Sequence, residues 1–141
     1  MTDTEETLAD TGDPRAEEPV ELTQEPDKLG RLSVIVRETA EATVVAVGGE
    51  LDLLTAPQLT AELEPILTAD HGHLAIDLTE TAFMDSAGIH ALVNIANRAR
   101  RHFAVICPAG SVRRTIELVG LAEPLCVVDS FDEYKRRRAG S

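Results

Sequence analysis

Apolar residues fall into five short strand-like segments after residue 30. Residues 32–37 alternate between apolar and polar positions, as in a strand covered on one side, and residues 43–47 are almost entirely apolar. The short link between these two segments predicts an antiparallel hairpin. Further apolar runs predict strands at residues 73–78, 103–107 and 125–128.

Between the later strands, apolar residues recur at helical spacing. The first such segment fits a helix with Thr55 as N-cap, and with Leu54 and Leu59 in contact as a hydrophobic staple. Pro65 inside it predicts a kink or a shifted helix end. The predicted N-caps of the four helices are Thr55, Asp85, Ser111 and Ser130.

The predicted order of elements is β-β-α-β-α-β-α-β-α. Strands that alternate with helices after an initial hairpin form a mostly parallel sheet with helices packed on it. We therefore expect residues 29–141 to form one small α/β domain. Its sheet should be mixed and mostly parallel, with about five strands and about four helices.

Residues 1–28 differ from the rest of the chain in charge. They contain ten acidic and two basic residues, and so carry −8 of the formal net charge of −12. With few apolar side chains to bury, such a segment cannot offset the entropy lost on ordering. We predict a disordered acidic tail.

Composition also narrows the possible partners and location. A net charge of −12 argues against nucleic acid or an anionic membrane as the main partner. No apolar stretch approaches the roughly 18 residues of a membrane span and no signal-peptide core is visible, so we expect a cytoplasmic protein. Cys107 and Cys126 lie in apolar runs and are predicted to be buried free thiols.

The segment at residues 83–89, Phe-Met-Asp-Ser-Ala-Gly-Ile, carries the most specific signal. It joins a predicted strand to a predicted helix. With Asp85 as N-cap, the carboxylate accepts a hydrogen bond from the amide of Ala87 or Gly88. Ser86 is then the first helical residue, with its hydroxyl pointing outward, and Gly88 leaves room for a partner's backbone to approach.

Three segments of the chain form a recognisable set: Gly49-Glu50-Leu51-Asp52, Leu74-Ala75-Ile76-Asp77-Leu78 and Phe83-Met84-Asp85-Ser86-Ala87-Gly88. Together they resemble a known family, the bacterial anti-sigma factor antagonists, which consist of a STAS domain. The resemblance covers residues 30–138 with a matching order of elements.

The resemblance implies a protein that binds an anti-sigma factor with serine kinase activity and so frees a sigma factor. Phosphorylation of the serine in the Asp-Ser-x-Gly turn, here Ser86, would block binding, and a serine phosphatase would restore it. Many members carry a second serine directly after the first, whereas Ala87 leaves Ser86 as the sole hydroxyl. No cofactor is implied, because ATP would belong to the kinase.

The partner is expected to contact the surface around Ser86. Loops that follow parallel strands meet at one edge of the sheet, which brings the loop after the second strand to the same rim. The expected contact residues are Asp52, Thr81, Asp85, Ser86, Ala87 and Gly88.

Other functions are weaker alternatives. A hydrolase that uses Ser86 needs a base, and His90, one helical turn on, would carry its ring away from the hydroxyl. His71 and His73 could form half of a metal site, but no third ligand is evident. The main alternative is a STAS scaffold or ligand-sensing module that is not switched by phosphorylation.

Overall fold

The computed structural model describes residues 32–69, 72–99 and 102–140. The predicted acidic tail at residues 1–28 and the candidate ligand His71 lie outside these ranges.

Six strands and four helices form the described part of the chain. The strands are β1 (Leu32–Glu38), β2 (Thr43–Leu51), β3 (Leu74–Asp77), β4 (Thr81–Met84), β5 (Phe103–Ile106) and β6 (Val127–Val128). The helices are α1 (Ala56–Ala69), α2 (Ser86–Ala99), α3 (Ser111–Leu118) and α4 (Phe131–Gly140).

All six strands belong to one mixed sheet. Its order is β1-β2-β3-β5-β6, and β4 pairs with β2 beyond the end of β3. The hairpin β1–β2 is antiparallel, and every other pair is parallel. The predicted fold class, a mixed and mostly parallel sheet with four helices, is confirmed.

The sixth strand, β4, was not predicted. Residues 79–82 lie between the predicted strand at 73–78 and the predicted helix and were expected to form a loop, yet Thr81–Met84 pairs with the end of β2. Only the two end residues of β4 are buried, while Ala82 and Phe83 are exposed. The segment therefore lacks both the alternation and the apolar run by which strands are found in a sequence.

Side chains on the two faces of the sheet build two separate apolar clusters. Val45 of β2 faces the larger cluster with α1, α2 and α3, whereas Val44 faces the smaller cluster with α4. Both valines are fully buried because helices cover both faces of the central strands. Strand β1 lies at the edge and leaves Ile35 exposed, which explains its alternating pattern.

The predicted helix starts are only partly confirmed. Ser130 accepts a hydrogen bond from the Glu133 amide at 3.1 Å, which confirms it as the N-cap of α4. Ser111 is the first residue of α3 instead of its cap, because Gly110 takes the N-cap position without a side-chain bond. Pro65 lies inside α1 without ending it.

None of the helices in the described ranges is long and apolar enough to cross a membrane.

The two cysteines have different environments, so the prediction that both are buried is wrong for one of them. Cys107 is buried, and burial raises the pKa of its thiol to about 11. Cys126 is exposed, and its φ of 54° places its backbone in the left-handed region. That conformation turns Cys126 out of the apolar run that suggested burial.

We expect one fast-reacting thiol in the native protein. Alkylation by iodoacetamide proceeds through the thiolate, so at pH 8 Cys126 should react quickly and Cys107 slowly. Mass spectrometry should therefore show one modification in native buffer and two in denaturant. Cys126→Ser should remove the fast phase; two fast modifications in native buffer would contradict the assignment.

Candidate functional site

The C-terminal ends of β2 and β4 lie side by side, where both strands leave the sheet. Leu51 pairs with Met84, and the amide of Asp85 donates to the Leu51 carbonyl at 3.2 Å. The loop that leads into α1 and the start of α2 therefore leave the sheet from neighbouring positions.

Asp85 caps helix α2 as predicted. Its Oδ1 accepts a hydrogen bond from the Gly88 amide at 3.1 Å, and its carbonyl accepts from the Ile89 amide at 3.1 Å. Met84 and Ile89, which flank the cap, are both buried and anchor the first turn in the core.

Ser86 is the first residue of α2 and is exposed. Its hydroxyl has no hydrogen-bond partner among the described residues, so it is available to solvent or to another protein. Ala87 next to it is half-buried. Helix N-termini attract negative charge, so a phosphate on Ser86 would lie in a favourable field.

Gly88 has a structural role that differs from the predicted one. It is buried, and a Cβ at this position would lie 2.5 Å from the Leu51 carbonyl oxygen and 2.7 Å from Met84 Cγ. The close approach that the glycine permits is thus to the protein's own strand β2. Gly88 therefore lets the first turn of α2 pack against β2, and its burial keeps it away from the surface that carries Ser86.

The side chain of Asp52 holds its own turn together. Its Oδ1 accepts hydrogen bonds from the amides of Leu54 and Thr55 at 3.0 and 3.1 Å. Thr55 directly precedes α1, as predicted for its N-cap, and its carbonyl accepts from the Gln58 amide at 2.9 Å. Its hydroxyl does not cap the helix, since it donates to the Glu50 carbonyl at 2.7 Å and accepts from the Asp52 amide at 2.9 Å. These bonds fix the turn beside Ser86, and Asp52 stays partly exposed.

Thr81 also acts inside the fold. It is buried, and its hydroxyl donates to the Val47 carbonyl at 2.7 Å. This bond fastens the start of β4 to β2, so Thr81 supports the site without lining its surface.

Three large apolar side chains are exposed on the loop and strand beside Ser86. Leu53, Leu54 and Phe83 are 71%, 69% and 50% exposed. We call them the apolar rim. The predicted staple between Leu54 and Leu59 is wrong, because the Asp52 turn directs Leu54 outward while Leu59 is buried. The sequence signal for this surface was an adjacent Leu-Leu pair after an acidic turn residue.

A groove continues from the rim between α1 and α2. It is shallow and open, with a volume of about 440 Å³, and is lined by Leu53 and Pro57 on one side and by Ala87 and His90 on the other. The walls consist mostly of small and apolar side chains, so the groove suits an apolar partner surface.

Two observations on the described residues, which do not include His71, bear on the hydrolase and metal alternatives. Within the described residues, no hydrogen bond joins Ser86 to His90. No group of three or more His, Cys, Asp and Glu side chains in those residues is arranged to hold a metal ion.

Comparison with known proteins identifies the family. The family model of the STAS domain matches residues 33–133, and the chain belongs to the STAS domain family. The anti-sigma-F factor antagonist RsfB of Mycobacterium tuberculosis is 29% identical over 92 residues, which cover 64% of this chain and 75% of that protein.

Two further similarities agree with this assignment. The anti-sigma-B factor antagonist of Listeria monocytogenes is 32% identical over 82 residues, covering 56% of this chain and 72% of that protein. The crystal structure of an anti-sigma factor antagonist from Mycobacterium paratuberculosis superposes with a TM-score of 0.71 at 26% identity, covering 75% of this chain and 92% of that chain. The relatives are regulatory proteins, as the resemblance in the sequence implied.

Gly88→Ala should lower the stability of the domain. The added methyl group would meet the backbone oxygen of Leu51, which cannot move without breaking the junction of β2 with α2. Overpacking of this kind costs about 1–3 kcal/mol of the free energy of unfolding. Urea unfolding followed by circular dichroism measures it.

Ser86→Ala, at the exposed start of the same helix, is the control and should change the free energy of unfolding by less than about 0.5 kcal/mol. If Gly88→Ala unfolds at the same urea concentration as wild type, the close contact with Leu51 is not a constraint on the fold.

Proposed function

We propose that this protein is an anti-sigma factor antagonist that binds an anti-sigma factor with serine kinase activity and thereby frees a sigma factor. Phosphorylation of Ser86 blocks the binding, and a serine phosphatase restores it. The observation that carries the proposal is the exposed Ser86 hydroxyl on the first turn of α2, next to an exposed apolar surface. The relatives named as anti-sigma factor antagonists support the kind of partner.

The apolar rim supplies the affinity in this proposal. Fully burying a leucine or phenylalanine side chain stabilises a complex by roughly 1.5–3 kcal/mol. The three rim residues and the groove therefore contribute a large share of the roughly 8 kcal/mol of a micromolar complex. Asp52, Asp85 and Ala87 border this surface and complete the proposed contact area.

Phosphate on Ser86 changes what can bind more than it changes the fold. It adds about −1.5 to −2 charges at pH 7. The N-terminus of α2 stabilises the charge by roughly 0.3–1 kcal/mol, and the neighbouring Asp85 opposes it. Covering an unpaired dianion with an apolar partner surface costs several kcal/mol, which is enough to abolish micromolar binding.

Variants of Ser86 should separate binding from phosphorylation. Ser86→Ala should bind the cognate anti-sigma factor as wild type does but incorporate no phosphate with ATP. Ser86→Asp should bind at least about tenfold more weakly, since a carboxylate reproduces part of the charge. Calorimetry measures the binding, and mass spectrometry after incubation with the kinase locates the phosphate.

The matched control is Ser111→Ala, because Ser111 is likewise an exposed serine on the first residue of a helix. It should be phosphorylated and bind as wild type does. Phosphorylation of Ser86→Ala at the wild-type rate would disprove the assignment of the switch to Ser86.

The apolar rim should be required for binding. Leu54→Ser and Phe83→Ser each remove an exposed apolar side chain next to Ser86, and each should weaken the complex about tenfold with little effect on stability. Leu118→Ser is the control, because Leu118 is 79% exposed at the end of α3. Equal affinities for the two rim variants and the control would show that the partner binds elsewhere.

A further inference from the structure

His90 lies on α2 one helical turn after Ser86. Residues four apart in a helix are separated by roughly 40° about its axis and by roughly 5–6 Å between their Cβ atoms. Both side chains are exposed. A group attached to Ser86 therefore has His90 as its neighbour on the surface of the helix.

The same histidine also lines the groove between α1 and α2. It does so together with Ala87, the residue directly after the exposed serine. Side chains on a helix lean toward its N-terminus, so the side chain of His90 leans toward the turn that carries Ser86. His90 therefore lies between Ser86 and the groove on the surface of α2.

The imidazole of His90 is not engaged by the rest of the described chain. It forms no hydrogen bond or ion pair with another described residue, and the hydroxyl of Ser86 is no exception. A phosphate extends farther from the backbone than a hydroxyl does and carries three strong acceptor oxygens. It can therefore accept a hydrogen bond from a ring that does not contact the bare serine.

The charged side chains around this end of α2 leave the position open. The other residues that line the groove carry no charge, and β4 and β5, which pack against α2, contain no charged residue. Asp52 and Asp85 each accept amide hydrogen bonds within their own turns. On α1, Glu64 is paired with Arg98 at 2.8 Å, and Glu62 does not line the groove.

We propose that His90 is a positioning residue for a phosphate on Ser86: its imidazolium donates to a phosphate oxygen and holds the group along the mouth of the groove. This inference rests on the proposed phosphorylation of Ser86. A dianion next to the ring favours the imidazolium, because opposite charges at short range stabilise each other. Hydrogen bonds between two ionised groups are also stronger than those between neutral groups.

The pair makes the phosphate a stronger block to binding. One imidazolium compensates only part of the roughly −1.5 to −2 charges of the phosphate, so the pair keeps a net negative charge. An anti-sigma factor that covers the groove must either bury the pair or separate the phosphate from His90. Both are unfavourable, and the bare serine imposes neither.

Phosphorus-31 NMR tests the pair directly. The full chain is prepared with phosphoserine introduced at residue 86 during translation, so that no kinase is needed, and the phosphate is titrated. An unperturbed phosphoserine changes from monoanion to dianion at about pH 6. A neighbouring cation favours the dianion and lowers this midpoint. We expect the midpoint with His90 in place to lie about 0.3 pH unit or more below that of the His90→Gln variant.

Two lysine variants separate the position of the charge from its presence. His90→Lys keeps a cation next to the phosphate and should retain the lowered midpoint. The matched control is Asn97→Lys in the His90→Gln background. Asn97 is an exposed residue of α2 about three turns from Ser86, so the added charge should not restore the lowered midpoint.

The affinity for the anti-sigma factor gives a second readout, and phosphorylation should weaken binding about threefold less in His90→Gln than in the wild-type background. The proposal is overturned by equal midpoints with and without His90, by full restoration with Asn97→Lys, or by an equal loss of affinity in both backgrounds. The proposed function fails by a different result, namely a phosphoprotein that binds the anti-sigma factor as tightly as the unphosphorylated chain does. The NMR titration decides the role of His90 in either case.

Discussion

The contact of Gly88 with the Leu51 carbonyl is the constraint on which the candidate site depends. It lets the first turn of α2 lie directly on the end of β2, where the Asp85 amide reaches the same carbonyl. A side chain at residue 88 would separate the helix from the strand. The orientation of Ser86 and its distance from the Asp52 turn both follow from this one close approach.

Because most strand pairs are parallel, the carboxyl ends and the amino ends of the strands carry different side chains. The carboxyl ends of β2 and β4 present a capped helix start, an acidic turn and exposed apolar side chains. The amino ends of β3, β5 and β6 present histidines, a thiol and the arginines of α4. One end therefore exposes apolar side chains beside Ser86, and the other holds a cavity lined by His73 and His102. The length of β2 separates these two surfaces.

Most of the fold could be predicted from the sequence, because an element that is buried on one or both faces has apolar residues at a regular spacing. The hairpin, four of the five predicted strands at nearly their full length, and all four helices follow from that period. The exceptions are short or irregular. Strand β4 has only its ends buried, and the last predicted strand shrinks to Val127–Val128 because Cys126 adopts a left-handed conformation. In both places pairing with neighbours, rather than local pattern, decides the structure.

The sequence by itself determined the α/β class, the cap at Asp85 and the exposure of Ser86, because these depend on contacts within a few residues of the chain. Only the tertiary structure decided the roles of Gly88 and Thr81, which bond or pack against β2 far away in sequence. It alone turned Leu54 outward and gathered His73, His102 and Tyr134 into one pocket. Such contacts join residues that are far apart in the sequence, so the local spacing of apolar residues does not reveal them. They form only when the sheet brings the strands together.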